Sequence, residues 1–122
     1  MLVVDGISYA IDVLSVKRKA DFLDKYADRT EDGVLHRELI GVYFNYQLAL
    51  GPGTNRAEYA RLWEKLTEPE EFHTVTVPDE TGSYTFTAYF SNVGDELLLQ
   101  RGSQNYWKGL TVNFTSRAPA RI

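Results

Sequence analysis

The sequence predicts a mainly β fold with one helix (α+β): an antiparallel β-sandwich or barrel flanked by one α-helix, with a long β-hairpin. Three observations carry this reading. The stretch from Val34 to Leu50 alternates like a strand along its whole length, Asn55 to Leu66 is the one segment with clear helical spacing, and the remaining apolar segments are short and bounded by polar turns. Strands in runs with a single helix, and without strict strand–helix alternation, point to antiparallel layers.

In chain order, Met1 to Asp5 reads as a short strand and Asp5-Gly6 as a turn. Residues 13 to 27 fit two patterns: Leu14, Val16, Arg18, Ala20 and Phe22 alternate, whereas Val16, Ala20, Leu23 and Ala27 also fit a helix. Strand is chosen because the polar turn DRTEDG, Asp28 to Gly33, leads directly into the long strand, as in a hairpin from about Leu14 to Leu50. Within that strand Val34, Ile40, Val42, Phe44, Tyr46, Leu48 and Leu50 share one parity, interrupted by His36 and Glu38. Its length far exceeds the usual strand of about 5 to 6 residues. It should therefore run past the body of its own domain and offer edge and face to something else.

Gly51-Pro52-Gly53 stops the strand. Thr54 or Asn55 is placed to cap a helix, with Asn55 and Glu58 resembling a capping box, and Tyr59, Leu62, Trp63 and Leu66 form its buried face. After Thr67-Glu68-Pro69, Phe72 to Val77 reads as a strand closed by Pro78, Asp79 to Gly82 as a turn, and Ser83 to Phe90 as a strand. Ser91 to Glu96 reads as a loop, Leu97 to Gln100 as a short strand, Gly102 to Asn105 as a turn, and Trp107 to Ser116 as the last strand with Leu110, Val112 and Phe114 inward.

At 122 residues the chain reads as one domain with a core of its own. It has no cysteine, which removes zinc-thiolate sites, thiol redox chemistry and cysteine nucleophiles. The net charge of −4 argues against a free-standing nucleic-acid binder. No apolar run approaches a membrane span and the first ten residues lack a signal-peptide pattern, so synthesis and retention in the cytoplasm are expected. Asn113-Phe114-Thr115 is then a chance sequon.

No catalytic constellation, cofactor cradle or metal motif stands out, and catalytic, cofactor and metal residues are assigned to none. His36 and His73, with Glu38 and Glu71 nearby in sequence, lack metal-ligand spacing. Glu68, Glu70 and Glu71 cluster where the helix ends, although that end favours cations. From Leu97 onward the chain carries Arg101, Lys108, Arg117 and Arg121 and no acidic residue, which suggests an acidic end and a basic end suited to head-to-tail contacts. Tyr43, Tyr89 and Tyr106 fall where an aromatic suits a protein contact or, alternatively, a saccharide.

The run Arg29-Thr30, Gly33, His36-Arg37-Glu38, Ile40-Gly41, Tyr43, Asn45-Tyr46, then Tyr59 and Leu62-Trp63, then His73 to Pro78, Phe86 to Tyr89, and Trp107 to Leu110 with Phe114 and Pro119 resembles small structural proteins of tailed-phage and prophage tail regions. That family is similar in layout to tail-tube and tail-hub domains. The resemblance implies a virion building block that acts in a homo-oligomeric, for example hexameric, ring. It implies partners among other tail proteins, no catalysis, no cofactor, no membrane and no specific nucleic-acid binding. Its location would be the host cytoplasm during assembly and the virion tail afterwards. The contact residues expected on this reading are Asp28, Arg29, Glu31, Asp32, His36, Arg37, Glu38, Tyr43, Glu70, Glu71, Tyr89, Arg117 and Arg121. The alternative is a monomeric β-sandwich binding module that uses Tyr43 and Tyr89 for a saccharide or peptide.

Overall fold

The computed structural model describes residues 2–51 and 56–122. The predicted turn residues Pro52 and Gly53 and the cap candidates Thr54 and Asn55 lie outside them. Among the described residues, seven strands and one helix follow in the order β1 (Leu2–Val4), β2 (Ile7–Tyr9), β3 (Val13–Arg29), β4 (Leu35–Leu50), α1 (Arg56–Leu66), β5 (His73–Asp79), β6 (Gly82–Arg101) and β7 (Gln104–Ser116). The strands form one antiparallel sheet in the order β2-β1-β5-β6-β7-β4-β3.

The mainly β class with a single helix matches the sequence reading; in place of the two layers or closed barrel expected, the strands make one sheet that is not closed, so the sandwich or barrel is not confirmed. The sheet is nevertheless curled. Tyr46 on β4 meets Phe86 on β6 at 5.2 Å between ring centroids, although β7 separates these strands in the sheet order. Arg18 on β3 reaches Glu80 in the β5–β6 turn at 2.6 Å. The core lies inside this curl: Leu2, Val4, Leu48, Leu50, Val75, Leu110, Val112 and Phe114 are buried together with Tyr59, Leu62 and Leu66 of α1. Trp63 packs against that cluster without being fully buried.

Local chemistry accounts for the turns. Asp5 and Gly6 both have positive φ, 51° and 78°, which is the combination a two-residue type I′ hairpin needs between β1 and β2. In the β3–β4 turn the Thr30 amide donates to the Val34 carbonyl at 2.9 Å, and Asp32 Oδ1 accepts from the Val34 amide at 3.1 Å. Gly33 supplies the left-handed residue with φ 83°. The ambiguous segment 13–27 is strand, because β4 offers it an antiparallel partner from Leu50 to Leu35, with register shifts at Leu14 and between Leu23 and Tyr26.

Three expectations need correction. Ser91 to Glu96 is not a loop: β6 continues through it, with register shifts around Gly94 and a left-handed Asn92 at φ 53°. Asparagine and glycine here mark a bulge, which bends a strand without ending it. Pro78 does not close β5, which runs on to Asp79; β1 pairs only with Val75 and Thr76, so the proline's missing amide falls where no neighbour asks for it. The short final hairpin becomes a long one, with β7 starting at Gln104 and only Gly102 and Ser103 between the strands.

The register places the two long hairpins at opposite ends. Strand β4 pairs with β7 only from Tyr46↔Phe114 to Leu50↔Leu110, so the β3–β4 hairpin leaves the body in one direction and β6–β7 leaves it in the other. Six residues of β7, Gln104 to Gly109, pass beyond Leu50, a projection of roughly 20 Å. The C-terminal segment clamps the root of the other arm. The Val42 amide donates to the Arg121 carbonyl and the Ala120 amide to the Val42 carbonyl, each at 2.8 Å. At Gly41 an added Cβ would lie 2.7 Å from Pro119 Cβ, so only glycine permits this crossing.

Candidate interaction surfaces

Each arm is exposed on all sides. Every residue from Lys25 to Ile40 is solvent-exposed, and so is every residue from Glu96 to Gly109. A strand that has left the body keeps its alternation but loses its core, which is why Val34 and Ile40 are about half exposed while Leu48 and Leu50, of the same parity, are buried. Phe22, Leu23, Tyr26, Leu35 and Leu39 add apolar surface to the β3–β4 arm. Leu97, Leu98, Leu99, Tyr106 and Trp107 do the same on the β6–β7 arm. Of this second surface the sequence reading named Tyr106 as a contact aromatic but not the leucines or Trp107, because it divides the segment between a short strand, a turn and a last strand.

The expected contact residues fall into three places. Asp28, Arg29, Glu31, Asp32, His36, Arg37 and Glu38 lie on the outer part of the β3–β4 arm. Several are engaged within it: Arg37 Nε donates to Asp24 at 2.6 Å and its guanidinium lies 5.2 Å over Phe22, and Arg29 donates to the Gly33 carbonyl at 2.8 Å. Thr30 donates to Asp32; this bond and the Val34 amide hold the Asp32 carboxyl below its usual range. Tyr43 and Arg121 sit at the arm's root, Tyr43 half-buried and Arg121 with its guanidinium 5.9 Å from the Phe44 ring centroid.

Glu70, Glu71, Tyr89 and Arg117 come together in a groove of about 560 Å³ at the C-terminal end of α1. The simple division into an acidic and a basic end is therefore corrected. Strand β7 runs back through the body, so Arg117 joins the glutamates while Arg101 and Lys108 remain on the far arm. The acidic helix end is partly offset by Lys65, which pairs with Glu68 at 3.0 Å and with Asp5 at 3.7 Å.

The same groove contains His73, which the sequence reading weighed only as a metal ligand, and Ser116, which it did not single out. His73, Ala88 and Ser116 are lateral neighbours across β5, β6 and β7, so His73 and Ser116 share the inner face on either side of a small residue. His73 is 4 % exposed, stacks on Phe90 at 4.6 Å, and has Nδ1 2.7 Å from Asp5 Oδ2. Asp5 also accepts from the Thr74 amide at 2.9 Å. Partial burial pushes the Asp5 carboxyl up, but the hydrogen bonds from His73 and Thr74, with Lys65 nearby, together outweigh it and hold it below its ordinary value. On the other side of α1, burial first, then the 2.7 Å bond to Asp95 and that group's charge, push the Tyr59 hydroxyl far up, so it remains a donor.

The Asp5 shift makes a pH prediction. A carboxyl lowered on folding adds stability that is fully present above its unfolded value, near 4, and is lost as pH falls through the lower folded value. Asp5→Asn keeps the left-handed backbone conformation, which asparagine tolerates, and removes the charge. The gap in urea midpoint between parent and variant should shrink as pH falls below 4; a gap unchanged between pH 5 and pH 2 would contradict the linkage.

Among the described residues no three His, Asp or Glu side chains converge as a metal site, and no helix is long and apolar enough to cross a membrane. No protein-family model matches the chain, and neither does any curated protein.

Proposed function

We propose that this chain is a structural building block whose copies join through its two arms, and that it serves as a tail component of a tailed phage or prophage, as tube, hub or connector, in a ring. One observation supports this most: two long hairpins leave the body in opposite directions, each exposed throughout and each carrying five or more large apolar side chains. Such surface is an aggregation hazard in a monomer and a contact surface in an assembly. Lys17, Lys19 and Lys25 along the open edge of β3 limit indiscriminate strand pairing.

The mechanism is geometric. One arm of a subunit lies on or pairs with its neighbour, the clamp of Arg121 on Val42 fixes the angle at which the β3–β4 arm leaves, and the sandwich-like body of the resemblance is the finer reading of the curled sheet. No bond is made or broken, and a net charge of −4 repels passing DNA from an acidic wall. The binding-module alternative has less support, because Tyr43 and Tyr89 line different depressions.

Light scattering coupled to size exclusion, over a range of concentrations and at two salt strengths, tests the proposal. The expected result is a discrete species at a multiple of the 13.9 kDa chain mass; dissociation at high salt would assign the contact to the charged residues of the arms, and insensitivity to salt to their apolar side chains. A strict monomer at millimolar concentration would sink self-assembly.

A further inference from the structure

We propose that the groove at the C-terminal end of α1 is a binding site for an organic cation with N–H donors, an ammonium or guanidinium group, seated against His73 Nε2 and Ser116 Oγ. This goes beyond assembly and stands whether or not the copies associate. It starts from two polar atoms without partners. Both His73 Nε2 and Ser116 Oγ are shielded from solvent and have no hydrogen-bond partner among the described residues; the two side chains are 4 % and 9 % exposed and line the same groove. Native interiors leave few such groups unpaired, because each loses its hydration without compensation.

The chemistry of the missing partner follows from the tautomer and the walls. Asp5 is an ionised acceptor on Nδ1, so a neutral His73 ring carries its proton there and presents Nε2 as a bare acceptor. The hydroxyl of Ser116 also accepts. A cation with several N–H donors offers a partner to each. The walls favour positive charge: Glu70 and Glu71 are exposed at the rim with no ion pair among the described residues, and Phe72, Tyr89 and Phe90 supply aromatic rings. Arg117 already rests its guanidinium 4.5 Å from the Phe72 ring centroid, showing that this wall accepts such a group. An entering cation competes with the Arg117 guanidinium for the rim. The volume of about 560 Å³ is that of a small-molecule site.

The test uses the full chain labelled with ¹⁵N-histidine. His36, on the far part of the β3–β4 arm, serves as the internal reference. Methylguanidinium should shift the His73 Nε2 resonance saturably and leave His36 unmoved, whereas tetramethylammonium, with the same charge and no N–H, should shift neither. Glu70→Gln with Glu71→Gln should weaken binding about threefold to tenfold at low salt, and Arg117→Ala should strengthen it by about threefold, as exposed charges of this kind allow. Absence of a His73 shift, an equal response to tetramethylammonium, or unchanged affinity in both variants would overturn the site. The source of the cation is read separately. If His73 also shifts with protein concentration and Arg101→Gln with Lys108→Gln removes that shift, a second copy supplies the group; if concentration has no effect while methylguanidinium binds, the ligand is a free amine or guanidine.

Discussion

Phe114→Ala should lower the unfolding free energy by about 3 to 5 kcal/mol, the cost of removing a large buried aromatic and leaving a cavity. Phe114 is fully buried on β7, opposite Tyr46 on β4 and Phe90 on β6, and its ring centroid lies 4.8 Å from that of Phe90. It thus joins the strands from which both arms emerge. A loss of this size is a large part of the roughly 5 to 15 kcal/mol that holds a domain together. Urea denaturation measures it directly. A loss below about 1 kcal/mol would mean that the sheet does not curl around Phe114 as described.

Leu98→Asp on one arm and Val34→Asp on the other should do the reverse, leaving the fold intact and dissolving the assembly. Both side chains are at least half exposed and each lies on a part of an arm that supports nothing else in the body. Their effect on unfolding should stay within about 0.5 kcal/mol, as for other surface positions. A charge placed in an apolar contact should weaken association by about 2 kcal/mol or more, roughly thirtyfold in dissociation constant. Concentration-dependent light scattering and urea titration on the same samples separate the two effects. If only one substitution acts, the contact uses one arm; if neither acts while the parent still associates, the interface lies on the body.

How far the sequence could be read depended on the distance over which its signals act. The alternation of Val42, Tyr46, Leu48 and Leu50 marked a buried strand face because parity is a local property, and Tyr59, Leu62 and Leu66 marked the helix for the same reason. Asp5-Gly6, Asp79 to Gly82 and, within Asp28 to Gly33, the part from Thr30 on were legible as turns through their own backbone chemistry, whereas Asp28 and Arg29 still pair in β3. Segment 13–27 was undecided because its pattern fits two periods, and pairing with β4 settles it. Asn92 and Gly94 misled because loop and bulge use the same residue types. The β6–β7 arm was hidden by the reading of its leucines as a short strand, since no local signal tells how far two strands remain paired.

Of the candidate site, Glu70, Glu71 and Arg117 were named from charge alone, and their meeting in one groove depended on the return of β7 through the body. The pairing of His73 with Asp5, and its lateral relation to Ser116 across Ala88, come from strand register between segments far apart in the chain. The sequence by itself determined the strand-rich class, the single helix, the inner face of the long strand and the lack of thiol chemistry, because composition and periodicity act residue by residue. Only the tertiary structure decided that there is one open sheet, that the arms point in opposite directions, and which polar groups are buried without partners. Those properties belong to register and burial, which exist only once distant segments are in contact.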